Sequence, residues 1–433
     1  MKIGSTKSVC PVCLKTIDAD RVTGSDGNIY MEKSCPEHGK FTSLIWEGDL
    51  KSYLHWNMDS SAVDPPVNAG EAVNGCPNDC GLCSEHLRKG CCMLLELTSR
   101  CNLKCPVCFA SANSGAGKDL PMEDIEKQYD FLMAHGGPFN IQLSGGEPTV
   151  RDDLPEIIRL GRRKGFTFFQ LNTNGIRLAE EPGYAAQLKE AGLNTVFLQF
   201  DGPDDKIFEA LRGTALLGIK EKAIENSISA NLGVVLVPVI APGVNDHAVG
   251  DIIKYALSRA PGVRGVHFQP ISYFGRCSQE RPQKPITIPK MLRLIETQTG
   301  GILKAEDFAA GGAENPYCSF HAAYRNRQDS FSPMPKKSGG CCCCSTTSDD
   351  SREQVSLQWS AGIANPQDGF DEFLNRIHNE TFTVSGMIFQ DAYNFDVDRV
   401  KRCYICEVDS ERGMIPFCAY NLTSTDGKYL YRQ

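Results

Sequence analysis

The chain lacks any hydrophobic run long enough to cross a bilayer. Its longest apolar stretch, Val234-Val-Leu-Val-Pro-Val-Ile240, is far shorter than the about 20 residues that a membrane helix needs. The first residues show no positively charged segment followed by an apolar one, so the sequence predicts no signal peptide. An excess of positive charge is also missing, since 45 Lys and Arg face 53 Asp and Glu and give a net charge of −8 at pH 7. This balance argues against a nucleic-acid surface, which needs clustered Lys and Arg.

Cysteine is the residue that the chain has in excess. Twenty cysteines without a secretory leader are typical of metal ligands rather than of disulfides. We therefore expect a cytoplasmic metalloprotein, and its 433 residues suggest about two to four domains. The cysteines fall into groups along the chain, at positions 10/13/35, 76/80/83, 91/92, 101/105/108, 277, 318, 341–344 and 403/406/418.

The segment Cys101-Asn-Leu-Lys-Cys105-Pro-Val-Cys108 is the most informative of these groups. Three thiols at this spacing can ligate three irons of a [4Fe–4S] cube, and the fourth iron then has no protein ligand. A cluster held by four cysteines is usually an electron carrier. An open metal position, by contrast, is where chemistry takes place in catalytic metal sites.

Apolar runs of strand length alternate with amphipathic stretches of helix length between residues 92 and 275. Each strand run is rich in Val, Phe, Leu and Ile with weak alternation, which is typical of buried parallel strands. The predicted strands are Cys92–Thr98, Phe139–Ser144, Phe166–Asn172, Thr195–Asp201, Leu232–Val239 and Val263–Ile271. The predicted helices are Met122–Ala134, Leu154–Lys164, Tyr184–Ala191, Lys220–Ala230 and His247–Ala260.

Six such repeats predict an α/β fold, a partial (β/α)₆ barrel of the TIM type, whose functional residues follow the strand ends. A small N-terminal metal knuckle precedes the barrel, and an iron–sulfur extension follows it. The predicted divisions are 1–60 for a zinc-ribbon or rubredoxin-like module, 61–91 for an auxiliary [4Fe–4S] loop, 92–275 for the barrel, and 276–433 for a C-terminal auxiliary-cluster domain with a flexible insertion near 326–367.

Cys76-Pro-Asn-Asp-Cys80-Gly-Leu-Cys83 has the same spacing as the motif that begins at Cys101. Context separates the two, because only the second motif follows a predicted barrel strand. The first also has a nearby fourth thiol, Cys91 or Cys92, that would close its cluster, and we favour Cys92. A closed, ferredoxin-like carrier is the alternative for the second motif.

The second motif, followed by Ser144-Gly-Gly-Glu-Pro148, resembles the radical S-adenosylmethionine (radical SAM) superfamily. The resemblance implies that Cys101, Cys105 and Cys108 hold a [4Fe–4S] cluster. SAM would chelate its open iron through amino and carboxylate groups, and reduction of the sulfonium would generate a 5′-deoxyadenosyl radical.

The resemblance also implies a set of contacts to SAM at the strand ends. Gly145 and Gly146 would let the backbone approach the ligand, and Glu147 would accept from its ammonium group. Where the family often has an aromatic residue before the last cysteine, this chain has Val107 and then Phe109. The other candidate contacts are Asn172, Asn174, Asp201, Arg212 and Gln269, and the simpler interpretation of each is a polar residue that caps a helix.

Two further metal sites are predicted from spacing. Cys10, Cys13, Cys35 and His38 suit one tetrahedral zinc or iron ion, and a module of about 40 residues needs a metal to fold. Cys403, Cys406 and Cys418 form a third candidate cluster with Cys318, although zinc is an alternative there. The remaining thiols are Cys91, Cys277 and the tract Cys341–Cys344, which would form a thiol relay, a soft-metal scavenger or an incidental run.

Over nearly its whole length the chain resembles one branch of the superfamily. Segments that carry this resemblance include Cys35-Pro-Glu-His-Gly39 and Ile415-Pro-Phe-Cys-Ala-Tyr-Asn421. That branch contains archaeal tetraether lipid synthase, 7,8-dihydro-6-hydroxymethylpterin methyltransferases and TrsS-type radical SAM (seleno)proteins. It implies C–C bond formation or methyl transfer on a lipid, pterin or other small molecule, with a low-potential ferredoxin or flavodoxin as electron donor. A peptide or protein maturase and a multi-cluster electron-transfer protein are the alternatives.

Overall fold

The computed structural model describes residues 1–57, 63–112, 117–311, 314–327, 330–335, 347–362 and 367–432. The tract Cys341–Cys344, predicted as a thiol relay, a metal scavenger or an incidental run, lies outside the described residues.

The N-terminal module is a sheet of four antiparallel strands in chain order, followed by one helix. The strands are β1 (Lys2–Val9), β2 (Thr16–Thr23), β3 (Ile29–Cys35) and β4 (Gly39–Trp46), and the helix is α1 (Leu50–Trp56). Strand β3 alternates strictly between buried and less buried side chains, so one face of the module is covered.

The other strands join into one large sheet, apart from the short β6 and β13, which pair with each other. In chain order they are β5 (Cys92–Glu96), β6 (Val107–Cys108), β7 (Asn140–Ser144), β8 (Phe169–Thr173), β9 (Thr195–Gln199), β10 (Gly233–Val237), β11 (Val239–Ile240), β12 (Val263–Pro270), β13 (Arg276–Cys277), β14 (Ser319–Arg327), β15 (Ser330–Pro333), β16 (Thr381–Met387), β17 (Ile405–Asp409) and β18 (Gly413–Pro416).

Helices connect these strands and cover the sheet. They are α2 (Met122–Ala134), α3 (Leu154–Arg163), α4 (Ile176–Glu180), α5 (Tyr184–Ala191), α6 (Asp205–Arg212), α7 (Leu217–Ser229), α8 (Val249–Leu257), α9 (Ile288–Gln298), α10 (Ser348–Trp359), α11 (Gly369–Asn379), α12 (Val397–Val400) and α13 (Phe417–Tyr420). Among the described helices, none is long and apolar enough to cross a membrane.

The predicted partial barrel is confirmed. Strands β5, β7, β8, β9, β10 and β12 are neighbours in this order, and every pair is parallel. They coincide with the six predicted strands to within a few residues at each end. Because parallel strands with α-helical crossovers bury both faces, their apolar runs show little alternation.

Strands from the C-terminal third extend the barrel sheet at both edges. Strand β16 pairs in parallel with β12 and carries β14 and β15 beyond it. At the other edge, β17 pairs in parallel with β5 and carries β18. Residues 276–433 therefore share the sheet of the barrel and form no separate sheet among the described residues.

Part of the segment predicted as a flexible insertion has regular structure. Strand β15 and helix α10 both lie between residues 326 and 367. The Ser, Thr and Asp content of this segment gave no indication of a helix. At the start of α10, the Thr347 hydroxyl accepts from the Asp350 N–H at 3.1 Å, and the Asp350 carboxylate accepts from the Thr347 N–H at 2.9 Å. This reciprocal pair is a capping box, which fixes a helix N-terminus.

Helix α10 lies across the N-terminal ends of the barrel strands. The Thr195 hydroxyl donates to the Trp359 carbonyl at 3.0 Å, and the Asn140 amide donates to the Arg352 carbonyl at 3.0 Å. Because Thr195 begins β9 and Asn140 begins β7, the helix closes the end of the barrel opposite the strand ends that carry the polar candidates.

A part-buried ion pair holds the N-terminal module against the C-terminal segment. The Arg21 guanidinium donates to both carboxylate oxygens of Asp396, from Nε at 3.0 Å and from Nη2 at 2.9 Å. The two side chains are 18% and 5% exposed.

Replacement of Arg21 by Ala is expected to lower the free energy of unfolding by about 3 kcal/mol or more, since it leaves the Asp396 carboxylate buried without its cation. Urea unfolding of the full chain measures this. Lys7→Ala is the matched control, because Lys7 pairs with Asp18 at the surface, and such pairs contribute about 1 kcal/mol or less. Equal losses in the two variants would contradict the role given to Arg21.

Candidate active site

Cys101, Cys105 and Cys108 lie in the loop that follows β5, and all three line one cavity of about 640 Å³. The end of this loop forms β6, which pairs with β13. From β13 the Arg276 guanidinium donates to the Cys105 carbonyl at 2.7 Å. The loop is thus held in place by the segment that follows the last barrel strand.

Gly145 and Gly146 pack against the start of the cysteine loop. A Cβ on Gly145, which has φ of +127°, would lie 2.3 Å from the Thr98 carbonyl oxygen, and one on Gly146 would lie 2.1 Å from that of Arg100. The Gly146 N–H donates to the Thr98 carbonyl at 2.7 Å, and the Glu147 N–H donates to that of Arg100 at 2.9 Å. Both glycines line the cavity, and their lack of a side chain also permits this close backbone contact.

Glu147 was predicted to accept from the SAM ammonium group, but both its carboxylate oxygens already have protein donors. One accepts from the Thr149 N–H at 3.1 Å and from the hydroxyls of Thr149 and Thr173 at 2.6 and 2.7 Å. The other accepts from the Asn174 N–H at 2.7 Å. Glu147 therefore joins the ends of β7 and β8 at the wall of the cavity.

Arg212 lines the cavity and is paired with Asp201 behind it. Its Nε and Nη2 donate to the two Asp201 carboxylate oxygens at 2.6 and 2.7 Å. Asp201 is fully buried and does not line the cavity, so it positions Arg212 rather than contacting a ligand there. Burial raises the pKa of the Cys105 thiol, and the nearby Arg212 guanidinium acts in the opposite direction.

The other predicted contacts, Phe109, Asn172, Asn174 and Gln269, also line the cavity. The Asn174 amide donates to the Asn102 side-chain oxygen at 2.7 Å and so ties β8 to the cysteine loop. The Phe109 ring lies 5.6 Å from that of Phe417.

No sequence motif predicted four further residues that line this cavity, which are Phe197, His267, Trp359 and Ser385. The Trp359 ring lies 5.1 Å from that of Phe197 and 5.8 Å from that of His267. His267 Nδ1 lies 2.9 Å from the Ser385 hydroxyl, and burial lowers the pKa of this imidazole to about 4. Within the sequence, only the position of His267 in β12 indicated this part of the cavity. Trp359 and Ser385 belong to segments that follow the barrel, so no local pattern connects them to it.

The N-terminal candidate site is brought together as predicted by spacing. The ligand atoms of Cys10, Cys13, Cys35 and His38 all lie within 4.8 Å of one another. His38 Nδ1 is 3.6 Å from the Cys10 sulfur and 3.4 Å from the Cys35 sulfur. Three thiols and an imidazole in this arrangement fit one tetrahedral ion.

The thiols of the loop 76–83 also lie together, but without their predicted fourth partner. A hydrogen bond with Cys76 and burial raise the pKa of Cys80, and the neighbouring Cys83 raises it further. Cys92 instead lines the central cavity together with Cys91, whereas Cys76, Cys80 and Cys83 do not line it.

Three of the four thiols predicted for the third cluster line a second, small cavity. They are Cys318, Cys403 and Cys418. The Arg399 guanidinium donates to the Cys318 sulfur at 3.4 Å, and the Gln390 N–H donates to the Cys418 sulfur at 3.3 Å. Cys406, the fourth predicted ligand, is fully buried in the apolar core and does not line this cavity.

Two known protein families match parts of the chain. The radical SAM superfamily matches residues 95–256, and the HMPTM N-terminal zinc ribbon domain matches residues 2–47. The 7,8-dihydro-6-hydroxymethylpterin dimethyltransferase of Methanocaldococcus jannaschii is 36% identical over 96% of this chain and 93% of its own length. The chain belongs to the radical SAM superfamily. The resemblance stated from the cysteine motifs is thereby confirmed.

Other similarities cover a smaller part of the chain. A probable GTP 3′,8-cyclase of Methanothermobacter thermautotrophicus is 33% identical over 37% of this chain and 52% of its own length. Among solved structures, Streptococcus suis SuiB bound to S-adenosylmethionine aligns with a TM-score of 0.41 at 17% identity, over 50% of this chain and 48% of that one.

The chain is therefore a radical SAM enzyme, and its donor atoms fit the group that this class uses. Cys101, Cys105 and Cys108 are free thiols on the wall of one cavity, so these three residues would hold a [4Fe–4S] cluster and leave one of its irons without a protein ligand. The side chains of Asn172, Arg212 and Gln269 line the same cavity.

Gly146→Ala is expected to weaken SAM binding by about tenfold or more, equal to about 1.4 kcal/mol. The added methyl group would meet the Arg100 carbonyl and displace the residue that precedes Cys101. Calorimetric titration of the iron-loaded protein with SAM measures the effect. In the control Gly218→Ala, at the start of α7, nothing lies within 4 Å of the new Cβ, and unchanged affinity is expected. Wild-type affinity in Gly146→Ala would refute this account of the glycine.

The buried imidazole of His267 is expected to make the protein less stable as the pH falls. Its pKa of about 4 in the folded protein lies below the ordinary 6.5, so below pH 6.5 the unfolded chain binds a proton that the folded protein does not. Urea unfolding at pH 7.5 and 5.5 should therefore show a smaller loss of stability in His267→Gln than in wild type. The exposed His55 provides a control, and His55→Gln should follow wild type. A loss in His267→Gln as large as in wild type would contradict this prediction.

Proposed function

We propose that this radical SAM enzyme transfers a methyl group to, or forms a C–C bond on, a small planar heterocycle of the reduced pterin type. The observation that carries the proposal is the continuity of one cavity. It is lined by the cysteine loop at one end and by Phe197, His267 and Trp359 at the other. Support for a pterin comes from the relative in Methanocaldococcus jannaschii, whose name specifies that substrate and which matches nearly the whole chain.

The chamber lined by Phe197, His267 and Trp359 suits a flat ring. The three rings lie 5.1 to 5.8 Å apart and together form an aromatic wall on which a flat ring can stack, and the imidazole nitrogen that is not paired with Ser385 adds one hydrogen-bonding group. Imidazole that stays neutral at pH 7 presents no charge to a heterocycle. The aromatic walls exclude water from the bound substrate, which protects reactive carbon species from quenching.

Cys101, Cys105 and Cys108 would hold a [4Fe–4S] cluster, and this group would supply the reductive cleavage of SAM that leads to hydrogen abstraction from the substrate. The residues of this chain then have separate tasks. The Arg212 guanidinium, which Asp201 holds in position, favours the thiolate form of Cys105. Glu147 and Asn174 keep the ends of β7 and β8 against the cysteine loop. Asn172 and Gln269 orient SAM from the opposite wall.

The accessory sites belong to this proposal as well. We assign a zinc ion to Cys10, Cys13, Cys35 and His38, and two auxiliary [4Fe–4S] clusters to the thiols of the loop 76–83 and of the second cavity. The match to the zinc ribbon domain supports the zinc ion, and so does the closeness of the four ligand atoms, which lie within 4.8 Å of one another. The auxiliary clusters would pass electrons from a low-potential donor of the ferredoxin or flavodoxin type, in the cytoplasm.

Cys105→Ala is expected to abolish formation of 5′-deoxyadenosine from SAM under dithionite, because the cubane loses one of its three ligands. Chromatography of the anaerobic reaction measures this. Cys277→Ala is the matched control, since Cys277 lies beside the motif in β13 but ligates no iron in this proposal, and it should retain at least about half of the wild-type rate. Retained turnover in Cys105→Ala would refute the assignment of the catalytic cluster.

The substrate class has its own test. Wild-type protein incubated with SAM, dithionite and 7,8-dihydro-6-hydroxymethylpterin should release a methylated pterin, detected as a mass increase of one or two methyl groups. An unchanged pterin, together with a mass change in an added archaeal lipid extract or peptide, would contradict the pterin proposal and leave the radical SAM class intact.

A further inference from the structure

Glu314 lies in the wall between the central cavity and the second cavity. It lines both of them, together with Tyr404 and Phe389. Its side chain is 5% exposed, although a carboxylate is costly to bury without partners. The roles proposed above for SAM binding, substrate binding and cluster ligation do not include Glu314, so they do not explain why its carboxylate is buried.

The environment of Glu314 holds one of its carboxylate oxygens and leaves the other without a hydrogen bond of ordinary geometry. The Ser319 hydroxyl donates to Oε1 and in turn accepts from the Gly311 N–H at 3.1 Å. A Cβ on Gly311 would lie 1.7 Å from Oε1, so glycine is required there for the carboxylate to reach this position. Oε2 is buried and accepts no hydrogen bond of ordinary geometry among the described residues. Burial raises the pKa of the Tyr404 hydroxyl, and the Glu314 carboxylate lies close enough to that side chain to raise it further.

The second cavity lacks one protein ligand for a cubane. Cys318, Cys403 and Cys418 supply three thiols, and each thiolate binds one iron. The predicted fourth, Cys406, follows Ile405 in β17. Neighbouring side chains in a strand point to opposite faces, and Ile405 lines the cavity. Cys406 instead belongs to the apolar core and lies opposite Met93 of β5.

We propose that Glu314 completes this auxiliary site, with its free carboxylate oxygen as the ligand of the fourth iron. The inference rests on the proposed auxiliary cluster at Cys318, Cys403 and Cys418. Three thiolates and one carboxylate give the same ligand charge as four thiolates, and Arg399 at the Cys318 sulfur offsets part of it. Cys406 is then a core residue.

An oxygen ligand changes what this cluster is suited to do. Carboxylate is a harder ligand than thiolate and binds the iron of a sulfide cluster less strongly, so a donor atom of another molecule displaces it more readily. Because Glu314 lines the central cavity as well, an iron held by its carboxylate would lie next to that cavity. The structure thus offers a second, exchangeable iron position beside the cavity.

Mössbauer spectroscopy of ⁵⁷Fe-reconstituted full-length protein tests the ligand directly. The experiment uses a background in which Cys76, Cys80, Cys83, Cys101, Cys105 and Cys108 are Ala, so that the irons of the other two proposed clusters do not contribute. We expect one iron per chain with the parameters of oxygen ligation. Glu314→Cys should convert that iron to thiolate ligation at unchanged iron content, and Cys406→Ala should keep both the iron content and the oxygen-ligated signal.

The opposite pattern overturns the proposal. If every cubane iron is thiolate-ligated before Glu314 is changed, Glu314 is not a ligand, and this result does not depend on the folding of any Glu314 or Cys406 variant. Loss of about four irons per chain in Cys406→Ala, with Glu314→Gln spectroscopically unchanged, would restore Cys406 as the ligand. Formation of 5′-deoxyadenosine, measured separately with Cys101, Cys105 and Cys108 intact, reports on the proposed function, so the two failures are distinguishable.

Discussion

The backbone contact between the second barrel strand and the cysteine loop is the constraint on which the site depends. The loop after β5 has almost no regular structure of its own, yet it must hold three thiols in one geometry. Gly145 and Gly146 allow β7 to approach Thr98 and Arg100 so closely that backbone hydrogen bonds form between them. Arg276 holds the other end of the loop at the Cys105 carbonyl. The barrel supplies rigidity that the motif lacks.

The C-terminal segment contacts three cysteine motifs that are far apart in the sequence. The Tyr429 hydroxyl lies 2.6 Å from that of Ser111, just past the catalytic motif. The Tyr431 hydroxyl accepts from the Cys80 N–H at 3.1 Å, and the Thr425 N–H donates to the Pro11 carbonyl at 2.9 Å. One short segment therefore contacts the catalytic loop, the auxiliary loop and the N-terminal knuckle.

Local sequence information was sufficient for the barrel and for the grouping of thiols within each short motif. The apolar runs at Asn140–Ser144 and Thr195–Gln199 are strong strand signals. Cysteines two or three residues apart lie close together because the loop between them is short. It was not sufficient where partners come from distant segments. The pairing of β17 with β5, the arrival of Trp359 in the cavity and the burial of Cys406 depend on tertiary packing. The donors to Glu147 were likewise hidden, because Thr173 and Asn174 belong to the next strand.

Central to the proposed function is that one cavity would hold the substrate beside the SAM site. Transfer of deuterium tests it most directly. The enzyme would be incubated anaerobically with SAM and with 7,8-dihydro-6-hydroxymethylpterin that carries deuterium at its carbon-bound positions. The account predicts deuterium in the 5′-deoxyadenosine and faster formation of that product than without the pterin. Unlabelled 5′-deoxyadenosine, formed at the same rate with and without the pterin, would contradict it.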